Sequence, residues 1–246
     1  MTKTIRGIIG VLALLVIWHI AAVRTQSVLF PAPLDVFTSW IELFREGVMW
    51  EHIRTSMSRF AIGYVIAATV GIVLGLFFGW FAGAWSFVNP IIQILRPVSP
   101  IAWIPFIVLW FGIGDIPAVV IIFLAVFYPV LLSTVSAVGR VDKIYLKVAQ
   151  NFALSRTQTL WKIILPASFP QISTGLHQAI GTGWVFLVAG EMIGAQSGLG
   201  FLIIDSRNNL RPDHLLAAIL TIGLIGLLLD LMVNVIEKQI YTKWGK

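Results

Sequence analysis

Three observations predict an all-α integral membrane protein of about six transmembrane helices. Charged residues make up 11 % of the 246-residue chain and apolar residues 58 %, whereas a soluble domain averages roughly 25 % charged. The apolar residues gather in runs of about twenty, the length a helix needs to cross the hydrocarbon. Between two of these runs lies a polar, basic island, KVAQNFALSRTQTLWKIILP from Lys147 to Pro166, unlike anything else in the chain. Six or seven spans are the most that fit beside such an insertion, so a single membrane domain, 1–246, is expected.

The expected spans are 8–23, 57–81, 85–111, 116–138, 170–193 and 215–236, with a polar loop at 139–166. The first follows Lys3 and Arg6. A cleaved signal peptide is the competing reading, but Trp18 and His19 stand where small residues would precede a cleavage site. Between spans one and two, Val36, Phe37, Trp40, Ile41 and Phe44 share one helical face, while Asp35, Ser39, Glu42 and Glu46 share the other. Such a helix is expected to lie on the outer membrane surface.

The second span carries Gly63, Ala67, Gly71, Gly75 and Gly79 at every fourth residue. Small residues let backbones approach where lipid supplies no hydrophobic drive. Each step of four overshoots a helical turn by about 40°, so the stripe winds, and a single straight partner should not touch all of it. The third region is interrupted by Pro90, Pro97, Pro100 and Pro105. Freed carbonyls at membrane depth are tolerated only against protein or a water-filled cavity, and transporters place substrate at broken helices. Tyr128-Pro129 predicts a kink in the fourth span, and Gly175, Ala179 and Gly183 predict close packing of the fifth. The glycines and charges of 194–212 read as a re-entrant or gating segment.

Within the island, Asp142 can cap a short helix on which Ile144, Val148 and Phe152 recur at four-residue spacing. Ser155-Arg156-Thr157-Gln158 fits a capping box that opens a second helix, which Pro166 is expected to end. So small a unit cannot bury its own apolar face. A partner is expected over Val148, Ala149, Phe152 and Leu154.

This island resembles the cytoplasmic loop of ABC-importer permeases, whose pattern is E-A-A, three residues, G, nine residues, I-x-L-P. Ala149, Ile163, Leu165 and Pro166 match it, and the nine-residue gap from Ala153 to Ile163 is kept. Lys147, Val148 and Ala153 depart, standing where the family has Glu, Ala and Gly. The segments LRPVSPIAWIP, WFGIGD and GEMIGAQSGLGFLI extend the resemblance to permeases for sulfonates, taurine, nitrate and bicarbonate. The resemblance implies two copies of the permease in a bacterial inner membrane, two ABC ATPase subunits carrying ATP and magnesium, and a solute-binding protein outside. It assigns ATPase docking to Lys147, Val148, Ala149, Phe152, Ala153, Leu154, Ser155, Arg156 and Thr157. The implied substrate is an aliphatic sulfonate or taurine-like anion, with nitrate, bicarbonate or a pyrimidine precursor as alternatives.

Charge sets the orientation. With a cytosolic N-terminus and six spans, ten of the 17 Lys and Arg residues fall inside, the excess that the positive-inside rule requires. Both termini are therefore expected in the cytosol. Arg59 lies just inside a span. Glu191, about 31 Å along its helix from Pro170, is expected to be solvated at the outer interface, while His177, about 10 Å into its span, suits a bond to a neighbouring helix as well as one to a ligand. Arg96, Pro100, Trp103, Tyr128 and Trp184 are the candidates for lining a path. His19, His52, His177 and His214 lack metal-ligand spacing, no nucleophile has a neighbouring base, and no G-x-x-x-x-G-K-[ST] occurs. No catalysis, metal, nucleic acid or cofactor is therefore assigned to the chain. A channel or secondary transporter working without ATP would also explain the broken helices, but it leaves the island without a partner.

Overall fold

The computed structural model describes residues 3–25, 27 and 29–244, and these form helices joined by short turns. They are α1 (Lys3–Thr25), α2 (Pro33–Arg45), α3 (Val48–Trp80), α4 (Ala82–Leu95), a 3₁₀ turn (Pro100–Trp103), α5 (Ile104–Phe111) and α6 (Asp115–Gly139). After α6 come α7 (Lys143–Asn151), α8 (Arg156–Thr159), a π-helical turn (Leu160–Ile164), α9 (Leu165–Gly194), α10 (Leu199–Asn208) and α11 (Pro212–Trp244).

Four helices are long and apolar enough to cross a membrane, and two bent pairs bring the number to six if each pair is one span. The first pair bends by 84° between 82–95 and 100–111, and the second by 44° between 156–194 and 199–208. The 33 residues of α3 measure about 50 Å at 1.5 Å per residue, so α3 reaches well past a hydrocarbon layer of about 30 Å.

The core is built on α6. A Cβ placed on Gly63 would meet Ile122 at 2.9 Å, on Gly71 Val130 at 3.0 Å, on Gly75 Thr134 at 2.5 Å and on Gly79 Val138 at 2.6 Å. Each pair is separated by 59 positions, so α3 and α6 run parallel in constant register. One partner therefore follows the whole stripe, contrary to the expectation that several would be needed. That expectation assumed a straight partner; two helices that coil about each other along a four-residue repeat keep both stripes in contact.

An adjoining face of α6 receives α9 in antiparallel register, so that α9 touches α3 as well. Gly175 packs on Ser133, Gly183 on Val126 at 2.8 Å, and Gly190 on Ile121 at 3.0 Å. Ala67 and Ala179 are fully buried in the same core. The α6 positions themselves carry branched residues, Ile122, Val126 and Val130, that fill the space the glycines leave.

Two expectations are corrected. Ser39 does not belong to a solvated face of α2: Val36, Ser39 and Leu43 are buried against α11. Ser39 Oγ donates to Asp213 at 2.7 Å and Trp40 Nε1 to Thr221 Oγ1 at 2.9 Å. Pro166 does not end its helix, because helical backbone continues from Arg156 to Gly194. The wider turn at 160–164, where the Leu165 amide bonds Leu160 O, absorbs the carbonyl that proline cannot satisfy.

Replacing Gly75 by Val drives methyl groups into Thr134, and the purified protein is expected to lose about 1–3 kcal/mol of stability in thermal unfolding. Gly83→Ala, where nothing lies within 4 Å of the new atom, should stay within about 0.5 kcal/mol. Equal loss in both variants would show that the α3–α6 stripe is not what the packing depends on.

Candidate functional site

The polar island is two capped pieces on a turn of unusual chemistry. Asp142 Oδ1 accepts the Ile144 amide at 2.8 Å and starts α7. Ser155 Oγ accepts the Gln158 amide at 3.2 Å while Gln158 Oε1 accepts the Ser155 amide at 3.0 Å, the capping box read from the sequence. Between them the Leu154 amide bonds Ala149 O and the Ala153 amide bonds Gln150 O, both at 3.0 Å. This is a Schellman ending, and its left-handed position, normally glycine, is Ala153 at φ 49°.

The island is partly self-covered. Leu146 and Leu160 pack on Leu76, Ala137, Val138, Ile164 and Ile172, at one end of α3, α6 and α9. Ala149, only 2 % exposed, faces inward with them, so the expectation that a partner covers Ala149 is corrected. Leu154 is half-buried, while Lys147, Ser155, Arg156 and Thr157 are exposed. What α7 turns outward is Ile144, Tyr145, Val148 and Phe152, the last 76 % exposed.

At the opposite end lies a buried ionic junction. Glu191, expected to be solvated, has no exposed surface at all. Its carboxylate accepts Ser56 Oγ at 2.8 Å, Arg59 Nη1 at 2.9 Å and the Gly200 amide at 3.0 Å. Arg59 also donates to Asp115, through Nε at 2.7 Å and through Nη2, and to Ser197 O and Oγ at 2.7 Å each. Ser56 Oγ accepts the Leu199 amide at 2.8 Å, and His52 Nδ1 accepts the Gly198 amide at 3.0 Å.

Glu191 does stand near the end of α9, but α10 folds over that end and covers it. Gly198, at φ +101°, turns the chain, and a side chain there or at Gly200 would collide with Glu191. The spacing of Glu191, Gly198 and Gly200 in GEMIGAQSGLG therefore serves to seal this carboxylate. WFGIGD has a matching role: Gly112 and Gly114 take positive φ, the Gly114 amide bonds Gly194 O at 2.8 Å, and Asp115 arrives at Arg59. Arg59 was visible as a charge at the edge of a span, but its partners lie 56 and 132 residues away.

The residues proposed to line a path come from the α4–α5 break, α6 and α9. Arg96, exposed, caps α4, while Pro100 and Trp103, partly buried, occupy the turn after it. Trp103 leads an aromatic row with Phe106 and Trp110. Tyr128 is half-buried on α6. Trp184 is corrected: it is 5 % exposed, edge-on to Phe60, and donates to Ile222 O at 3.1 Å, so it is a core residue between α3, α9 and α11. His177 bonds Asp230 of α11 at 3.0 Å, a contact between neighbouring helices. Among the described residues, no three His, Cys, Asp or Glu side chains are grouped to hold a metal ion.

The family model described as binding-protein-dependent transport system inner membrane component matches residues 67–241. The chain belongs to that family. Among its relatives, the taurine transport system permease protein TauC of Escherichia coli (strain K12) is 36 % identical over 96 % of this chain and 88 % of that protein. The nitrate import permease protein NrtB of Leptolyngbya laminosa is 36 % identical over 79 % of this chain and 70 % of that protein. A chain from an inward-facing structure of the MetNI methionine ABC transporter shares the fold, with a TM-score of 0.61 and 17 % identity, covering 78 % of this chain and 93 % of that one. The protein is thus the permease subunit of an ABC importer, an inner membrane component.

Three variants test the permease's local chemistry. Arg59→Met strands a buried carboxylate and is expected to cost about 3–5 kcal/mol in thermal unfolding, with Glu191→Gln milder because the amide stays neutral. A loss below about 0.5 kcal/mol for Arg59→Met would sink the junction's structural role. Ala153→Gly should relieve roughly 1 kcal/mol of left-handed strain and slow hydrogen exchange in 147–159; faster exchange would contradict it.

Proposed function

We propose that the permease imports a small anion, an aliphatic sulfonate or taurine-like solute, and that α7 is the element through which ATP hydrolysis on a separate subunit reaches the membrane. The observation that carries this reading is the outward stripe of Ile144, Tyr145, Val148 and Phe152 on a short helix that also presents Lys147. Exposed aromatic and aliphatic anchors on one face of a short helix suit a groove on a partner protein. Two ATPase subunits carrying ATP and magnesium would each receive one such helix. A second copy of this chain would complete the path, with a solute-binding protein on the outside and both termini in the cytosol, as the positive-inside count favours.

Closure of the ATPase pair would drive the two islands together. Because Leu146 and Leu160 seat the island on the ends of α3, α6 and α9, the push would reach the glycine-packed core as a unit. The response would be a rigid-body change between two packings rather than a continuous deformation. The side chains left on the outer surface of the island, Ser155, Arg156 and Thr157, would border the contact, with Ala153 and Leu154 forming the turn beneath it.

An anionic substrate is supported by the taurine relative and by Arg96 at the break between α4 and α5, where Pro100 and Trp103 also sit. Nitrate, the cargo in the name of an equally identical relative, and bicarbonate are the rival anions. Uptake of labelled taurine, nitrate and bicarbonate by cells expressing the permease with its ATPase and binding protein discriminates among them.

The docking role is tested on Phe152, since Ala149 faces inward and an arginine there would unseat the island itself. Phe152→Arg is expected to abolish co-purification of the ATPase and uptake while leaving the amount of permease in the membrane unchanged, and Phe152→Leu to retain both. Undiminished ATPase recovery with Phe152→Arg would refute the assignment of α7.

A further inference from the structure

A groove of about 670 Å³ runs between α1, α2 and α11. Its walls include Leu12 and Val16 of α1, Leu34 and Phe37 of α2, and Leu220 and Leu224 of α11, most of them about half exposed. From Leu12 to Ile20 the groove follows α1 for about 12 Å at 1.5 Å per residue, most of the half-thickness of a hydrocarbon layer of about 30 Å. At its α2 end the lining changes character within two residues of α1. There a second cavity of about 480 Å³, bordered by Ala22, Ser27, Asp35, Arg211 and Asp213, takes over.

The two cavities adjoin along the same three helices, Ile20 and Leu34 lining one and Ala22 and Asp35 the other, and together make an amphipathic slot. Trp18, whose indole donates to Pro31 O at 3.2 Å just before α2, marks the boundary, as tryptophans do at a membrane interface. The upper cavity is mixed in sign: Arg211 is paired to Asp213 at 2.9 Å, and Asp35 spends one oxygen on the Ala32 amide at 3.1 Å. A purely anionic headgroup would meet two carboxylates there, and a purely cationic one would meet the guanidinium. Both ends of a zwitterion find a counterpart.

We infer that this slot holds a zwitterionic phospholipid, such as phosphatidylethanolamine, from the leaflet that borders α2. One acyl chain lies in the α1–α2–α11 groove, the phosphate beside Arg211 and the ammonium beside the free oxygen of Asp35. The lipid gives α1 the packing that it otherwise lacks. Only 6 % of the apolar stretch of that helix is buried, against 39 % for α3 and 44 % for α6. A bound chain joins its free face to α11. This goes beyond the transport reading and does not depend on the substrate.

The test is lipid retention. The permease is reconstituted in nanodiscs of equimolar phosphatidylethanolamine and phosphatidylglycerol, stripped with mild detergent and analysed by native mass spectrometry. Phosphatidylethanolamine is expected to remain bound to each chain in preference to phosphatidylglycerol. It should be lost when Val16→Trp or Leu34→Trp fills the groove and kept in the control Leu109→Trp, an exposed position on α5. Equal retention of the two lipids, or retention unaffected by both groove variants, would overturn the inference. So would efficient disulfide formation between copies of Val16→Cys in a chain that has no other cysteine, because a second permease would then occupy the groove.

Discussion

Backbone-close packing on α6 is the constraint from which the rest of the architecture follows. In lipid, apolar side chains gain nothing by leaving one apolar environment for another, so helices associate through dispersion at short range. Glycines on α3 and α9 bring both backbones against the branched side chains of α6, one helix parallel and the other antiparallel. With α6 held on two faces, the remaining elements have little freedom. The broken pair α4–α5 closes over one side, and α10–α11 with α2 closes over the other.

The two ends of this core are finished in opposite ways. At one end, charges are buried: Arg59 and Glu191 pair away from the surface, and Asp115, Ser56, Ser197 and two amides of α10 fill further donor and acceptor positions. Such a pair adds less net stability than an apolar core of equal volume, but separating it is costly. It therefore acts as a geometric pin that defines where α3, α6, α9 and α10 meet. At the other end, the polar island keeps one face on the core and presents the other, an arrangement suited to passing a push from a partner into the spans.

The same reasoning explains the departures in the island. Lys147 and Val148 fall on the outward surface of α7, where side-chain identity is free to follow a partner, whereas Ala149 is confined by the core. Ala153 accepts a backbone conformation that glycine adopts without strain, and the hydrogen bonds of the Schellman turn hold it there.

Local patterns legible along the chain were those set by near neighbours. Span-length apolar runs, the four-residue glycine stripes, the proline break, the Asp142 cap and the Ser155 capping box each arise within a few helical turns, and each is present in the folded chain. What failed did so where distant elements meet. Glu191 looked solvated because α10 was not yet folded over it, Ser39 looked solvated because α11 was not yet beside α2, and Trp184 looked available because α3 and α11 had not yet enclosed it. Pro166 looked terminal because a wider helical turn, sustained by packing, was not anticipated. The sequence by itself determined the membrane class, the helical elements and the family motif, since hydrophobicity, periodicity and caps are local. Only the tertiary structure decided which small-residue stripe meets which helix, which charges neutralise one another and which face of α7 remains open. Those outcomes depend on contacts between residues far apart in the chain.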